Sequence, residues 1–184
     1  GGTFNDIVHQ QIKNNAWKQS RGKADWVIVI DMDEFLYHPQ MEQFLTQNSR
    51  ITLFKPQGFN MVTNTFPLND KKLIESVNKG VQNDYYAKSV LFNPHKIINT
   101  NYEPGAHEIY PEGIVSILSD PTFKLLHYKN LGVDYVLNRF KLYNKRMSKV
   151  NQEQHLAFHY EIHTKQVVEE ITTELENATL VVKE

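Results

Sequence analysis

Asp31 and Asp33 close the run Trp26-Val27-Ile28-Val29-Ile30-Asp31-Met32-Asp33-Glu34. Side chains at i and i+2 of an extended segment leave on the same face. Their Cα atoms are then about 6.6 Å apart, so both carboxylates can reach one divalent cation. Oxygen ligation of this kind selects a hard ion, Mg²⁺ or Mn²⁺, with positions left open for phosphate oxygens. An ion held by two acids and a diphosphate is a Lewis acid for a phosphate leaving group. The plainer reading is a solvated acidic turn with a helix N-cap. Glu34 falls on the opposite face, where it either orients a ligand or caps the next turn.

Three more groups carry chemistry. His127 ends the apolar run Leu125-Leu126 and precedes a loop. It is either a nitrogen ligand to the same ion or a hydrogen-bonded core histidine. Gly105-Ala106-His107-Glu108 places a His beside a Glu on a glycine-flanked loop, which suits a general base or an acceptor-binding group as well as ordinary loop polarity. Arg139, Lys145 and Arg146 line one face of a helix and can neutralise a diphosphate, or are simply solvated.

These groups need positioning elements. Asn5 to Ser20 reads as a helix with Val8, Ile12 and Ala16 on its apolar face. Trp26 to Ile30 then reads as a strand buried on both faces, of the parallel type, its acids at the carboxyl end where open α/β sheets bind ligands. Met41 to Gln47 reads as a short helix. Ile51 to Phe54 and Phe59 to Thr63 read as strands around a Lys55-Pro56-Gln57-Gly58 turn. Asp70 to Asn78 reads as a surface helix, and Lys88 to Phe92, Ile114 to Leu118 and Phe123 to His127 as strands. Asn93 to Gly113, with three prolines, reads as a long irregular segment. The clearest helix is Val133 to Val150, with Val136, Leu137, Phe140, Tyr143 and Met147 at helical spacing. Residues 151–184 read as a helical extension of a core spanning 1–150. Alternating strands and helices make the class α/β.

Composition narrows the function. The chain has 184 residues, 40% hydrophobic and 22% charged, enough for a real core. A net charge of −1 gives no electrostatic case for nucleic acid. No apolar run is long enough to span a bilayer, so a membrane span is not expected. The absence of cysteine excludes thiolate metal sites and fits a reducing, cytoplasmic setting.

The stretch Asn14 to Tyr37, with Trp17-Lys18, Ser20-Arg21-Gly22-Lys23-Ala24-Asp25-Trp26 and the Asp31-to-Phe35 turn, resembles family 2-like glycosyltransferases of GT-A fold, in the subgroup with an Asp-x-Asp-Glu-Phe turn. Gly105 to Glu108 and Leu126-His127-Tyr128 are similar to later blocks of that subgroup. The resemblance covers roughly residues 5 to 150. It implies a partial GT-A fold, a mixed sheet flanked by helices, and metal-dependent transfer of a sugar from a nucleotide-diphosphate donor to a hydroxyl acceptor, in polysaccharide or glycoconjugate synthesis. It places Asp31 near the donor ribose and the metal, Asp33 as the direct ligand, and His127 as the histidine that completes the Mg²⁺ or Mn²⁺ site. Lys13-Asn14 matches the basic-Asn pair that leads into the metal strand. An inverting enzyme of this kind needs a carboxylate base, and Glu108 is the first candidate. Only 30 residues precede Asp31, so the expectation is a C-terminal portion lacking the first nucleotide-binding strands. Such a portion should be weak or inactive alone and self-associate through an exposed sheet edge.

Two alternatives use the same residues. A haloacid dehalogenase-type phosphatase would use Asp31 as nucleophile and Asp33 as acid/base, but Glu34-Phe35 follows where that family has a small turn. A non-catalytic binding module is the other.

Overall fold

The computed structural model describes residues 3–68, 72–156 and 164–182. In chain order the elements are α1 (Asp6–Asn15), a 3-10 turn (Ala16–Ser20), β1 (Val27–Ile28), β2 (Glu34–Tyr37), α2 (Met41–Gln47), β3 (Leu53–Thr63), α3 (Leu73–Ser76), β4 (Lys79–Gln82), β5 (Leu91–Phe92), β6 (Ile97–Asn99), β7 (Glu112–Gly113), β8 (Ile117–Leu131), α4 (Val133–Arg146), α5 (Lys149–Glu153), α6 (Thr164–Asn177) and β9 (Thr179–Leu180). The class is α/β, as the alternation of strands and helices implies. The chain forms two compact units interleaved in sequence. One comprises Gly1–Asp6, Phe59–Gln82 and Tyr128–Glu184, the other Ile7–Gly58 and Asn83–His127. The second holds the acidic turn and is called here the acidic unit; the first is the helical unit.

In the acidic unit, β5 pairs antiparallel with β1 on one side and with β3 on the other. The Trp26 strand therefore differs from its expected form. It is short, antiparallel and at an edge, with Ile28 49% and Ile30 38% exposed. An apolar run alone does not distinguish an edge strand from a central one. The apolar face expected on α1 is likewise exposed at Val8 and Ile12. The turn after α1 instead buries Trp17 edge-on against Phe92, at 4.8 Å between ring centres, with Leu53 and Ile97. A second core gathers Phe44, Phe54, Leu91 and Phe123. Each such side chain contributes about 1.5–3 kcal/mol by leaving water.

The expected turn at Lys55–Gly58 does not form; β3 runs straight through it. Gly58 serves close approach instead. A Cβ there would lie 2.3 Å from the Tyr86 carbonyl carbon. The bare backbone lets the Asn83–Ala87 turn dock on β3, with the Asn83 N–H donating to the Gly58 carbonyl at 2.9 Å. Two separate strands were expected in 114–127, and β8 replaces them with one. The segment Asn93 to Gly113 is also less irregular than its prolines suggest. It contains the β6–β7 pair, and Arg21 donates to the carbonyls of Pro94, Ile97 and Ile98.

In the helical unit, β4 pairs antiparallel with residues 59–61 of β3 and with β9. Val136 and Phe140 of α4 pack with Val167 and Ile171 of α6 around Val62. α4 stops at Arg146, four residues short of its expected end. The Phe4 N–H donates to the Arg146 carbonyl at 2.7 Å and the Ser148 N–H to the Phe4 carbonyl at 3.0 Å, which holds Met147 extended. Ser148 then caps α5 by accepting the Asn151 N–H. Of the helix expected over 70–78, α3 covers Leu73–Ser76; Asp70 and Lys71 lie outside the described residues. Among the described residues no helix is long and apolar enough to cross a membrane.

Candidate functional site

Asp31 and Asp33 sit on a tight turn rather than on an extended strand end. The Glu34 N–H donates to the Asp31 carbonyl at 3.1 Å, and the Asp31 N–H donates back to Glu34 Oε2 at 3.0 Å. Met32 is fully exposed at the tip. The turn breaks the i, i+2 parallelism of a strand, so the two aspartates face different partners.

Asp31 meets two ammonium groups. Its Oδ1 is 2.7 Å from Lys13 Nζ, near the end of α1, and its Oδ2 is 3.3 Å from Lys88 Nζ, just before β5. Lys88 also lies 2.6 Å from Glu34 Oε1. Burial alone would raise the Asp31 pKa; Lys88 and then Lys13 outweigh it and hold the carboxyl below its usual value. Burial likewise disfavours the Lys88 ammonium, but Glu34 and Asp31 outweigh it and push its pKa up. Two acids and two lysines thus form a charge-balanced cluster.

Asp33 turns toward β8. The antiparallel pairing of β2 with β8 places His127 opposite Glu34. His127 Nε2 then lies 3.6 Å from Asp33 Oδ2. His127 is 8% exposed, and the Tyr86 ring packs on it at 4.1 Å. Neighbouring ligands of one octahedral Mg²⁺ stand about 3 Å apart, so the two atoms, at 3.6 Å, would have to draw closer to share one ion. Asp31, facing its lysines, is not grouped with them. Among the described residues no three His, Asp or Glu side chains gather to hold a metal. A cation here would take two protein ligands and fill its other positions from water or substrate.

The remaining candidates scatter. Asn14 is occupied structurally: its Oδ1 accepts from the Tyr102 N–H at 2.7 Å and from Thr100 Oγ1 at 2.9 Å, and its Nδ2 donates to the Tyr102 carbonyl at 3.1 Å. Glu108 is exposed, and it is His107 beside it whose ring packs on Tyr85, 3.7 Å between centres. Arg139 and Arg146 belong to α4 of the helical unit, Arg139 with its guanidinium 5.6 Å from the centre of the Tyr135 ring and Arg146 exposed.

Lys88 was not foreseen as a site residue. A lone lysine two residues before the apolar run Val90-Leu91-Phe92 was its signal. Tyr85-Tyr86, an aromatic pair in a polar stretch, was the signal for the rings around His127.

A cavity of about 440 Å³ opens in the helical unit, lined by Val62, Asn64, Ser76, Asn78, Lys79 and Leu175 among others. None of the candidate residues lines it. No protein-family model matches the chain, and no curated protein sequence matches it.

Proposed function

We propose that the acidic unit is part of a metal-dependent glycosyltransferase of GT-A type, acting on a nucleotide-diphosphate sugar and a hydroxyl acceptor. The observation that carries this reading is the meeting of Asp33 and His127, 94 positions apart in sequence, at 3.6 Å. They come from the turn that leads into one strand and from the strand paired with it.

In this reading Asp33 and His127 hold Mn²⁺ or Mg²⁺. A bound ion there supplies Lewis-acid neutralisation of the diphosphate leaving group. The protein's own share is orientation. Lys13 and Lys88 keep Asp31 ionised and aimed, leaving it to receive the donor ribose. Glu34 fixes the turn, and Lys88 anchors it. The phosphatase alternative needs Asp31 to present a free oxygen to phosphorus, whereas each of its oxygens faces an ammonium. A non-catalytic binding module is the second reading, favoured by that same neutralised Asp31.

Titration of the chain with UDP and GDP, with and without Mn²⁺, tests the proposal. Nucleotide binding that requires Mn²⁺ and disappears in Asp33→Ala is the expected result. Binding indifferent to the metal or to Asp33 refutes it.

A further inference from the structure

Residues 135–152 carry five basic side chains and no acid, in a chain whose net charge is −1. They form most of α4 and the start of α5. Val136 and Phe140 of α4 pack into the core of the helical unit, so the opposite face of the helix meets solvent. Lys141, Leu142, Lys145 and Arg146 lie on that face and are exposed, and Lys149 follows, exposed, at the start of α5. Among the described residues these four cations have no ion-pair partner. Three acids of α6, the helix packed on α4, are engaged elsewhere. Glu169 lies 3.6 Å from Lys165 and Glu170 3.2 Å from Lys129, and Glu174 accepts from Asn60 and Asn130.

Helix chemistry accounts for part of this pattern. Lys145 and Arg146 stand in the last turn of α4, where the helix dipole favours cations. The dipole does not account for Lys141, a turn earlier. It stands at i, i+4 from Lys145, a spacing at which like charges repel. Nor does it account for Leu142, 43% exposed within the basic face. The two tyrosines of α4 are packed inside the unit, Tyr135 on Phe66 with ring centres 4.7 Å apart and Tyr143 on Phe4 at 5.6 Å. The exposed face therefore offers cations and one aliphatic side chain. The rings that could stack on a nucleic-acid base are already taken.

We propose that this face of α4 docks the protein on an anionic bilayer, with Lys141, Lys145 and Arg146 against lipid phosphates and Leu142 at the headgroup boundary. Lipid is the occupant that uses both parts of the face. Its phosphates take the cations, and the apolar layer beneath them takes the leucine. A nucleic-acid backbone meets the same cations and leaves Leu142 in water. The contact is mainly electrostatic and reversible, since each Lys or Arg at such a surface is worth about fivefold in affinity and one leucine adds less. It is independent of the glycosyltransferase reading.

The test is flotation of the whole chain with vesicles of phosphatidylcholine alone and of phosphatidylcholine mixed with phosphatidylglycerol. Salt is set at about 0.1 M and about 1 M, where charges are screened beyond about 10 Å and about 3 Å. Binding to the mixed vesicles at low salt, lost at high salt and absent from the neutral vesicles, is expected. Lys141→Gln/Lys145→Gln/Arg146→Gln should weaken it at least about tenfold. Lys23→Gln/Lys55→Gln/Lys96→Gln removes the same charge from three exposed lysines of the acidic unit and should leave it within about twofold. Circular dichroism confirms that each variant is folded. Lys141→Gln and Arg146→Gln alone, at about fivefold each, carry the test if the triple variant is not. Leu142→Ala should weaken vesicle binding, and a DNA duplex in the same low-salt buffer should bind less tightly, phosphate for phosphate. No binding to the mixed vesicles, equal loss in the two triple variants, binding unmoved by Leu142→Ala, or tighter binding of the duplex would overturn the proposal.

Discussion

Lys88 Nζ lies 2.6 Å from Glu34 Oε1 with both side chains almost completely withdrawn from water, at 4% and 1% exposure. A buried pair of this kind is costly to break, because the surviving charge is stranded in a medium that solvates it poorly. Lys88→Met should therefore destabilise the chain by about 3–5 kcal/mol. Removing both charges in Lys88→Met/Glu34→Gln should recover part of that loss. Urea denaturation of the two variants and the parent measures it. A cost below about 1 kcal/mol for Lys88→Met would mean that the pair does not hold the turn.

His107 makes stability depend on pH in a definite direction. Its folded pKa, lowered to about 4 by burial and then by the nearby Lys88 ammonium, lies below the ordinary value of 6.5. Between these values the unfolded chain binds the proton and the folded chain does not, so stability rises with pH. The contribution is complete above pH 6.5 and disappears as pH falls toward 4. Partial exposure of the ring makes the effect smaller than full burial would give. Denaturation midpoints measured from pH 4 to 7 should rise, and His107→Gln should flatten that rise. An unchanged slope in the variant would count against the placement of the ring.

β1 pairs with β5 alone among the described residues, and Ile28 beside its open edge is half exposed. The same edge on a second copy can pair with it antiparallel. Sedimentation at rising protein concentration should show self-association, and Ile28→Lys should suppress it. Association unaffected by Ile28→Lys would place the contact elsewhere.

The sequence was most readable where one local pattern decides structure. Met41–Gln47 formed as expected, and within the Asp31/Asp33/Glu34 run Asp31 and Glu34 meet Lys13 and Lys88. His127 was named from its place after an apolar strand, and the strand pairing brought it to Asp33. The failures share a physical cause. Extended geometry was assumed for Asp31-Met32-Asp33, and the turn that Glu34 closes sends the two acids to different partners. Gly58 carries a turn signature, yet the demand on it comes from Tyr86, a residue 28 positions away. A local pattern marks only one side of the Lys88–Glu34 pair and of the His107 seat, because their partners, Glu34 and Tyr85, come from far along the chain.

The proposed glycosyltransferase function depends on one cation shared by Asp33 and His127. Pulsed EPR of Mn²⁺ bound to the chain with ¹⁵N-labelled histidine tests it most directly. A histidine nitrogen coupling is expected, absent in His127→Gln and accompanied by weaker Mn²⁺ binding in Asp33→Ala. Mn²⁺ bound with no nitrogen coupling, or a coupling that survives His127→Gln, would contradict it.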